Sequence, residues 1–339
     1  MLQGFWRTLP KPFFVLAPLA GVTDAAFRRL IATHGKPHVL WTEFTSADGL
    51  CSPGRQHLLP NLLYTAAERP IVAQLYGANP AAMEQAAALV AALGFDGVDI
   101  NMGCPDRSVE KRGAGAAMCK HPALAQAVIG AARSGAGTLP VSVKIRLGYH
   151  CNEIDTWLPA LLEAEPAVVT IHARTRQEMS KVPARWDVVA QAVALRDASG
   201  SAAYIVGNGD VKDIAEAQHK VNATGVDGVM LGRAIFGNPW LFNAPVTAVP
   251  AAEKLRVLLE HPRLFTTLFS GSKHFDVMKK HYKAYVSGLA GAKDLGMRLM
   301  ETRCVAEVEA AVQQYQETLD TPGAEMSMPL PVPISMSIS

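Results

Sequence analysis

The chain has 339 residues, more than the about 250 that a single (β/α)8 barrel needs, so an additional region is expected. Hydrophobic residues make up 49% and charged residues 18%, which suits a globular enzyme with a large buried core. The five cysteines form no C-x-x-C pair, and their odd number argues against a disulfide framework or a zinc site. No apolar stretch reaches the roughly 18 residues of a membrane span. We therefore expect a cytoplasmic protein with no metal and no membrane contact.

Short apolar, β-branched runs alternate with Ala-rich segments of helical periodicity along most of the chain. The pattern predicts eight strands, at residues 13–18, 39–46, 70–76, 97–103, 140–146, 168–173, 204–209 and 228–233. Eight strands alternating with helices favour an α/β fold of the (β/α)8 TIM-barrel type. A doubly wound open sheet is the alternative, and it is disfavoured because no G-x-G-x-x-G turn follows the first strand.

A polar residue lies near the end of seven of these strands. Any one of them alone is more often a hydrogen-bonded core group or a surface residue. Because the carboxyl ends of barrel strands meet at one rim, the seven together predict a shared site. They are Glu43, Gln74, Asn101, Lys144, His172, Asn208 and Arg233.

The pattern changes after about residue 245, where strand alternation stops and amphipathic helices follow. Residues 1–245 are predicted to form the catalytic barrel, residues 246–320 a helical domain, and residues 321–339 a disordered tail rich in Pro, Ser and Met. Between Lys254 and Arg303 the chain carries ten Lys or Arg and four Asp or Glu. This local excess of positive charge favours contact with a polyanion, although a solvated helical face remains the alternative.

One cysteine follows a predicted strand directly. The segment Asp99-Ile-Asn-Met-Gly-Cys-Pro105 ends the fourth strand and runs into the glycine-rich loop Arg112-Gly-Ala-Gly-Ala116. A thiol just past a barrel strand is well placed for chemistry, and nearby glycines permit close approach to a ligand. A lone cysteine is, however, more often a small buried hydrophobe, so Cys104 is a candidate only.

Two further segments are typical of anion sites. Gly207-Asn-Gly-Asp210 follows the seventh strand, and Gly232-Arg233 follows the eighth. Barrels often bind phosphate with these two loops and a short extra helix, and an arginine adds a forked charge. Together with Lys144 and His172 this arrangement suits flavin mononucleotide, since Lys144 would place positive charge where the reduced ring accumulates negative charge. The alternatives are a structural ion pair of Lys144, for example with Glu43, and a hydrogen-bonded core imidazole for His172.

The set of motifs resembles the tRNA-dihydrouridine synthase family. The matching segments occur in family order over about residues 13–243, and the helical region, including Lys279-Lys-His-Tyr-Lys283, resembles the family more loosely. The segments are Ala17-Pro-Leu-Ala-Gly-Val-Thr-Asp24, Gln74-Leu-Tyr-Gly77, Asp99-Ile-Asn-Met-Gly-Cys-Pro105, Val143-Lys-Ile-Arg-Leu-Gly148, His172-Ala-Arg-Thr-Arg176, Gly207-Asn-Gly-Asp210, Asp227-Gly-Val-Met-Leu-Gly-Arg-Ala234 and Gly237-Asn-Pro-Trp240.

The resemblance implies an FMN-dependent, NADPH-driven reduction of the C5–C6 double bond of particular uridines in tRNA. Cys104 would protonate C5 as the general acid, while Asn101, Arg146 and Arg176 would hold the uracil. The flavin would be held by Pro18, Leu19, Ala20, Gln74, Lys144, His172, Asn208, Gly209, Asp210, Gly232 and Arg233. The tRNA backbone would meet the basic helical domain, with Lys279, Lys280 and Lys283 as the candidate contacts, and we expect a monomer.

The sequence departs from the family pattern at Leu19 and in the segment after Arg176. Leu19 stands where the family often has Met, a change of similar volume that should matter little. The segment Gln177-Glu-Met-Ser-Lys-Val-Pro183 differs from the commoner Tyr- and Gly-containing version, which puts the choice of uridine in doubt. The main rival function is an FMN-dependent barrel acting on a free pyrimidine or another small molecule, which would need no basic domain. A second rival is a tRNA-binding protein whose barrel has lost catalysis.

Overall fold

The computed structural model describes residues 3–243 and 249–320, so the predicted tail at 321–339 and the predicted boundary at 245 and 246 lie outside the described residues. In these two ranges, nine parallel strands form a nearly closed barrel, which confirms the predicted fold class. They are β1 (Phe13–Leu16), β2 (Leu40–Trp41), β3 (Thr45–Ser46), β4 (Ile71–Tyr76), β5 (Gly97–Met102), β6 (Val141–Arg146), β7 (Val168–His172), β8 (Tyr204–Asn208) and β9 (Gly228–Leu231).

The second predicted strand, residues 39–46, is interrupted in the structure. Both β2 and β3 pair with β4, so together they occupy one of the eight barrel positions. Between them, the hydroxyl of Thr42 accepts the backbone N–H of Gln74 at 3.1 Å and thereby replaces a strand-to-strand bond. The sheet runs from β1 through β9 and down to β2, and the barrel closes where His38 N–H donates to the Phe14 carbonyl at 3.0 Å.

Within the described residues, eight helices surround the barrel and four more follow it. The barrel helices are α1 (Ala25–His34), α2 (Ala47–Leu50), α3 (Pro80–Ala92), α4 (Arg107–Glu110), α5 (Pro122–Ala136), α6 (Ile154–Leu162), α7 (Trp186–Ser199) and α8 (Ile214–Thr224). The C-terminal helices are α9 (Ala251–Phe269), α10 (Lys279–Val286), α11 (Ala292–Glu301) and α12 (Val305–Asp320). Short 3-10 turns lie at Gly4–Thr8, Pro53–His57, Leu59–Leu62, Ala66–Glu68, Gly115–Lys120, Arg233–Ile235 and Phe275–Met278.

Local sequence explains several helix ends. Helix α1 starts at Asp24, whose side chain accepts the N–H of Phe27 at 3.0 Å, and α3 starts with Asn79 as its N-cap and Pro80 in its first turn. Helix α7 ends at Gly200, which has φ of +69° and so adopts the left-handed conformation that favours glycine. The helices therefore begin and end where the loops turn back toward the barrel.

The amino end of the barrel is filled by large apolar side chains. The 3-10 turn Gly4–Thr8 places Trp6, which is 1% exposed, beneath the strands. Its ring centroid lies 5.4 Å from that of Phe13 and 5.7 Å from that of Trp41. Because packed aromatic rings leave little room for solvent, this end of the barrel is closed and the opposite end is left for a ligand.

The C-terminal helices dock on α1 through buried rings. The ring of Phe27 lies 5.1 Å from that of His261 and 4.7 Å from that of His281, and His261 Nδ1 lies 3.1 Å from the hydroxyl of Tyr285. Burial lowers the pKa of His281 to about 3 and lowers that of His261 as well, so both rings are neutral near pH 7. The predicted helical region is therefore packed against the barrel by an uncharged, largely aromatic contact.

An ion pair also joins the two regions. Lys273 Nζ lies 2.8 Å from Glu43 Oε2, and Glu43 Oε1 accepts the N–H of Gly21 at 2.5 Å. The carbonyl of Gly21 accepts a hydrogen bond from Lys280 Nζ at 3.4 Å. The suggested pairing of Lys144 with Glu43 is therefore wrong, because Glu43 is taken up by the helical region and by the loop after β1.

Candidate active site

A cavity of about 810 Å³ opens at the carboxyl ends of the strands, where the sequence predicted the shared site. Thirteen of the predicted site residues line it. They are Pro18, Leu19, Ala20, Asn101, Cys104, Lys144, Arg146, His172, Asn208, Gly209, Asp210, Gly232 and Arg233. Among the residues that the structure describes, Gln74, Arg176, Lys279, Lys280 and Lys283 do not line it.

Cys104 lies in the loop after β5 at the wall of the cavity and is partly buried. Its backbone N–H donates to Asn101 Oδ1 at 2.8 Å, and its carbonyl accepts the N–H of Ala116 at 2.9 Å. Burial raises the pKa of the thiol, and the nearby guanidinium of Arg146 only partly offsets this. The backbone of Cys104 is therefore held in place on both sides, and its thiol remains protonated near neutral pH.

Gln74 and Asn101 form part of a buried polar row beside Cys104. Gln74 is fully buried; its Nε2 donates to Asp99 Oδ2 at 2.7 Å, and its Oε1 accepts from Asn101 Nδ2 at 3.0 Å. Asn101 Oδ1 accepts the N–H groups of Gly103 and Cys104 at 3.1 and 2.8 Å. Gln74 thus lies beneath the cavity rather than on its wall, and most of the Asn101 amide is engaged within the protein.

Lys144 reaches the cavity from β6. Its Nζ donates to Asn208 Oδ1 at 3.2 Å, and Asn208 Nδ2 in turn donates to the carbonyl of Met230 at 2.8 Å, which fixes the orientation of the amide. Burial and, to a smaller extent, the charge of Arg146 lower the pKa of Lys144 to about 8. A negative group in the cavity would stabilise the charged form of Lys144, because it would offset both the burial of the ammonium group and its repulsion by Arg146.

His172 lines the cavity as an uncharged imidazole. Burial, together with the charges of Lys144 and Arg146, lowers its pKa to about 2. Arg174 Nη1 lies 3.2 Å from His172 Nε2, and because a guanidinium can only donate, Nε2 must be the accepting nitrogen. The proton therefore resides on Nδ1.

The sequence reasoning missed Arg174 and Lys212, which both line the cavity. Arg174 is 2% exposed; it binds His172, pairs with Asp210, and donates to the carbonyl of Val182 at 2.6 Å. The signals were present, since Arg174 lies between the predicted His172 and Arg176, and Lys212 shares a loop with the predicted Asp210.

The expected phosphate loops lie next to each other at the rim. Asp210 has φ of +51° and pairs with Arg233, whose Nη2 lies 2.8 Å from its Oδ1, as well as with Arg174. The backbone N–H of Ala184, which donates to Asp210 Oδ2 at 2.9 Å, and the two arginines together outweigh burial and lower the pKa of Asp210. The cavity wall carries Lys144, Arg146, Arg174, Lys212 and Arg233 against the single carboxylate of Asp210, so its net charge is positive.

The two predicted substrate arginines differ in their contacts. Arg146 lines the cavity; its Nε donates to the carbonyl of Gly103 at 2.8 Å, and its Nη1 donates to those of Thr175 and Met179 at 3.1 Å each. Arg176 instead pairs with Glu110 at 2.6 Å outside the cavity wall. Arg146 is therefore the one placed to meet a ligand in the cavity, and Arg176 braces the loop beyond it.

The three predicted tRNA-backbone lysines all lie on α10 but are not equivalent. Lys279 Nζ lies 2.7 Å from Asp276, Lys280 contacts the barrel at Gly21, and Lys283 is exposed. In the part of the chain that the structure describes, no helix is long and apolar enough to cross a membrane. Within the same residues, no group of three or more His, Cys, Asp and Glu is arranged to hold a metal ion.

Solved structures support the fold. The 6-hydroxypseudooxynicotine amine oxidase HisD of Pseudomonas geniculata N1 superposes with a TM-score of 0.51 over 68% of this chain and 46% of that chain. The sequence identity is 14%, so this likeness concerns the fold alone.

Sequence comparisons identify the family. A probable tRNA-dihydrouridine synthase of Staphylococcus epidermidis strain ATCC 35984 is 37% identical over 323 residues, which cover 94% of this chain and 98% of the relative. The probable tRNA-dihydrouridine synthase 2 of Bacillus subtilis strain 168 is 38% identical over 319 residues, covering 93% and 98%. The family model described as dihydrouridine synthase (Dus) matches residues 15–320. The chain therefore belongs to the dihydrouridine synthase family.

Proposed function

We propose that this protein is a tRNA-dihydrouridine synthase, which reduces the C5–C6 double bond of uridines in tRNA with FMN and NADPH. The observation that carries the proposal is the position of Cys104 at the wall of a barrel cavity that is lined by five cationic side chains. The family membership and the printed names of the two bacterial relatives support the reaction and its tRNA substrate.

The cavity residues fit FMN. A volume of about 810 Å³ lies within the about 300–1,000 Å³ typical of ligand sites, and the surplus of positive charge suits an anionic phosphate. Lys144 and His172 would hold the ring, and Asn208, Gly209, Asp210, Gly232 and Arg233 would hold the ribityl and phosphate parts. Pro18, Leu19 and Ala20 would provide the wall beside the ring. Gln74 lies beneath the cavity and would affect the flavin site only indirectly, through its hydrogen bond with Asn101.

Bound FMN, once reduced by NADPH, would supply the hydride that C6 of the uracil gains. Cys104 donates its thiol proton to C5, so the double bond gains one hydride and one proton and the electrons balance. The raised pKa of Cys104 suits this role because a general acid must carry its proton when the hydride arrives. Arg146, which keeps Gly103 in place through its carbonyl, would meet the uracil edge, with the remaining N–H of Asn101 beside it.

A uridine in folded tRNA has to leave its stack to reach this cavity. We propose that the helical domain, residues 246–320, binds the tRNA backbone, with exposed Lys283 as the freest of the three predicted lysines. Lys279, which pairs with Asp276, and Lys280, which donates to the carbonyl of Gly21, would add positive charge to the surface that meets the tRNA. We also propose that Arg176 acts on the substrate side by bracing the loop after β7, and that the chain works as a cytoplasmic monomer.

The decisive experiment is dihydrouridine formation in unmodified tRNA with purified protein, FMN and NADPH, mapped by nucleotide. We expect product at defined positions in the tRNA loops, which would also settle the specificity that the segment 177–183 leaves open. Reactions without FMN, and with NADH replacing NADPH, are the controls. If the protein binds flavin and oxidises NADPH but forms no dihydrouridine, the proposal is wrong and a small-molecule reductase replaces it.

A further inference from the structure

We propose that Asp99 is a positioning residue, which aligns the Cys104 backbone through a buried row formed by Gln74 and Asn101. The inference rests on the proposed role of Cys104, but the contacts that carry it are independent of any ligand. Asp99 itself lies on β5, is 1% exposed and does not line the cavity among the described residues. Its effect on chemistry must therefore pass through its neighbours.

The row is continuous. Asp99 Oδ2 accepts from Gln74 Nε2 at 2.7 Å, Gln74 Oε1 accepts from Asn101 Nδ2 at 3.0 Å, and Asn101 Oδ1 accepts the N–H of Cys104 at 2.8 Å. These distances all lie in the normal range of hydrogen bonds. The strand register explains the alignment, since Gln74 on β4 stands directly opposite Asp99 on β5.

Both ends of the row fix the direction of its hydrogen bonds. A carboxylate can only accept, and a backbone N–H can only donate. Asp99 therefore turns the amide nitrogen of Gln74 toward itself and leaves Oε1 for Asn101. Asn101 then has its own oxygen free for Gly103 and Cys104. If the amide of Gln74 were reversed, the donors of Gln74 and Asn101 would face each other, so the orientation set at Asp99 is passed on to Cys104.

The carboxylate is held in this position from a second side. Ser142 Oγ donates to Asp99 Oδ1 at 2.6 Å. Burial raises the pKa of Asp99 to about 6, while the bonds from Ser142 and Gln74 and the charge of Lys144 lower it. Asp99 is thus mainly ionised at neutral pH. Ser142 touches the same carboxylate without belonging to the row, which makes it a matched control.

The far end of the row meets a loop with little freedom. The carbonyl of Cys104 accepts from Ala116, and a Cβ on Gly115, where φ is +62°, would lie 2.6 Å from that carbonyl oxygen. The Cys104 peptide is therefore bound on one side by Asn101 and on the other by the glycine-rich loop. Loss of the first contact would leave the thiol free to shift, and small misplacements of a reacting group are costly in rate.

The test replaces Asp99 by Leu, which is similar in shape but cannot accept a hydrogen bond. In the purified full-length protein, we expect hydrogen–deuterium exchange at the Gly103 and Cys104 amides to accelerate roughly tenfold or more. Turnover should fall by about 10- to 100-fold while the KM for tRNA stays within about threefold of wild type. Asp99→Asn retains a carbonyl for Gln74 and can donate to Ser142, so it should restore most of the turnover.

Ser142→Ala is the control. It removes a bond to the same carboxylate, so it should lower the melting temperature but leave Cys104 amide exchange unchanged. If Asp99→Leu does not fold, Gln74→Met cuts the row in the middle and should accelerate the same two amides. Unchanged exchange at Cys104 in a folded Asp99→Leu or Gln74→Met variant overturns the proposal, as does equal acceleration in Ser142→Ala. Because exchange needs no turnover, its outcome is separate from failure to form dihydrouridine.

Discussion

The two ends of the barrel are built from different side chains. At the amino end, Trp6, Phe13 and Trp41 pack ring against ring and are almost fully buried. At the carboxyl end, Lys144 and His172 stand among arginines and amides, and burial lowers the pKa values of both. One end thus gains stability from apolar burial, whereas the other keeps charged groups in an environment that disfavours their charge.

The amino end of the barrel therefore stabilises the fold, whereas the buried charges of the carboxyl end reduce its stability. Apolar rings need only fit one another, whereas the polar groups of the cavity need specific partners and a ligand to balance their charge. Substitutions at the amino end should therefore change folding without changing chemistry per folded molecule. Substitutions at the carboxyl end should mainly change the chemistry, and their effect on folding should depend on pH.

The largest effect is expected at the carboxyl end, for Cys104→Ala. Turnover should fall by about 10²- to 10⁴-fold, because general acids typically contribute that much, while FMN and tRNA affinities stay close to wild type. Single-turnover dihydrouridine formation with pre-reduced enzyme measures the chemical step. Cys151→Ala, at an exposed cysteine, is the control and should react like wild type. Wild-type rates in Cys104→Ala would remove the thiol from the mechanism.

The next effect is expected at the amino end, for Trp6→Ala. The free energy of unfolding should fall by about 3–5 kcal/mol, the usual cost of truncating a buried aromatic residue to alanine. Urea denaturation measures this change, and turnover per folded, flavin-bound molecule should remain within about twofold of wild type. Trp6→Phe keeps a ring and should cost less. A large loss of turnover without a loss of stability would mean that the two ends are not separable.

The smallest effect is a pH dependence that belongs to the carboxyl end. His172 has a pKa of about 2 in the folded protein and about 6.5 when unfolded, so only the unfolded chain takes up its proton as pH falls below 6.5. Its contribution to stability is complete above pH 6.5 and is lost at a rate of about 1.4 kcal/mol per pH unit toward pH 3. His172→Asn should reduce the slope of unfolding free energy against pH by that amount.

Trp6→Phe provides the comparison for this pH effect, since it alters the amino end without adding or removing a titratable group. Its slope below pH 6.5 should equal that of wild type even though its stability is lower. Equal slopes in His172→Asn and wild type would show that the His172 ring takes up its proton in the folded protein. Protonation would then not distinguish the carboxyl end of the barrel from the amino end.

Strand alternation was enough to predict the barrel and most of its rim. The second strand was predicted as continuous because its β-branched residues conceal the interruption at Thr42, where a side chain replaces a backbone partner. Cys104 and Lys144 were predicted from their places after and within strands, and the cavity indeed includes both. These features are local, so a local pattern reveals them.

Other features depend on contacts between distant segments. Gln74 was expected on the rim, but the pairing of β4 with β5 places it level with Asp99, one layer deeper. A pairing of Glu43 with Lys144 was one alternative for that lysine, but Glu43 binds Lys273, which lies far away in the sequence. The spacing of residues along the sequence does not reveal the register of β4 with β5 or the docking of the helical region on the barrel. These contacts, and therefore the partners of Gln74 and Glu43, are determined only in the assembled barrel.

Closure of the barrel has a consequence for how the chain can fold during synthesis. Strand β1 pairs with β9, and Gly228 lies so close to Phe13 that a Cβ there would come within 2.5 Å of the Phe13 carbonyl oxygen. The first strand to leave the ribosome therefore stays unpaired on this edge until the last strand has been made. Such a long sequence separation slows folding and leaves an exposed edge in the meantime. A nascent chain halted before Gly228 should thus be the form of this protein most prone to aggregate and most in need of a chaperone.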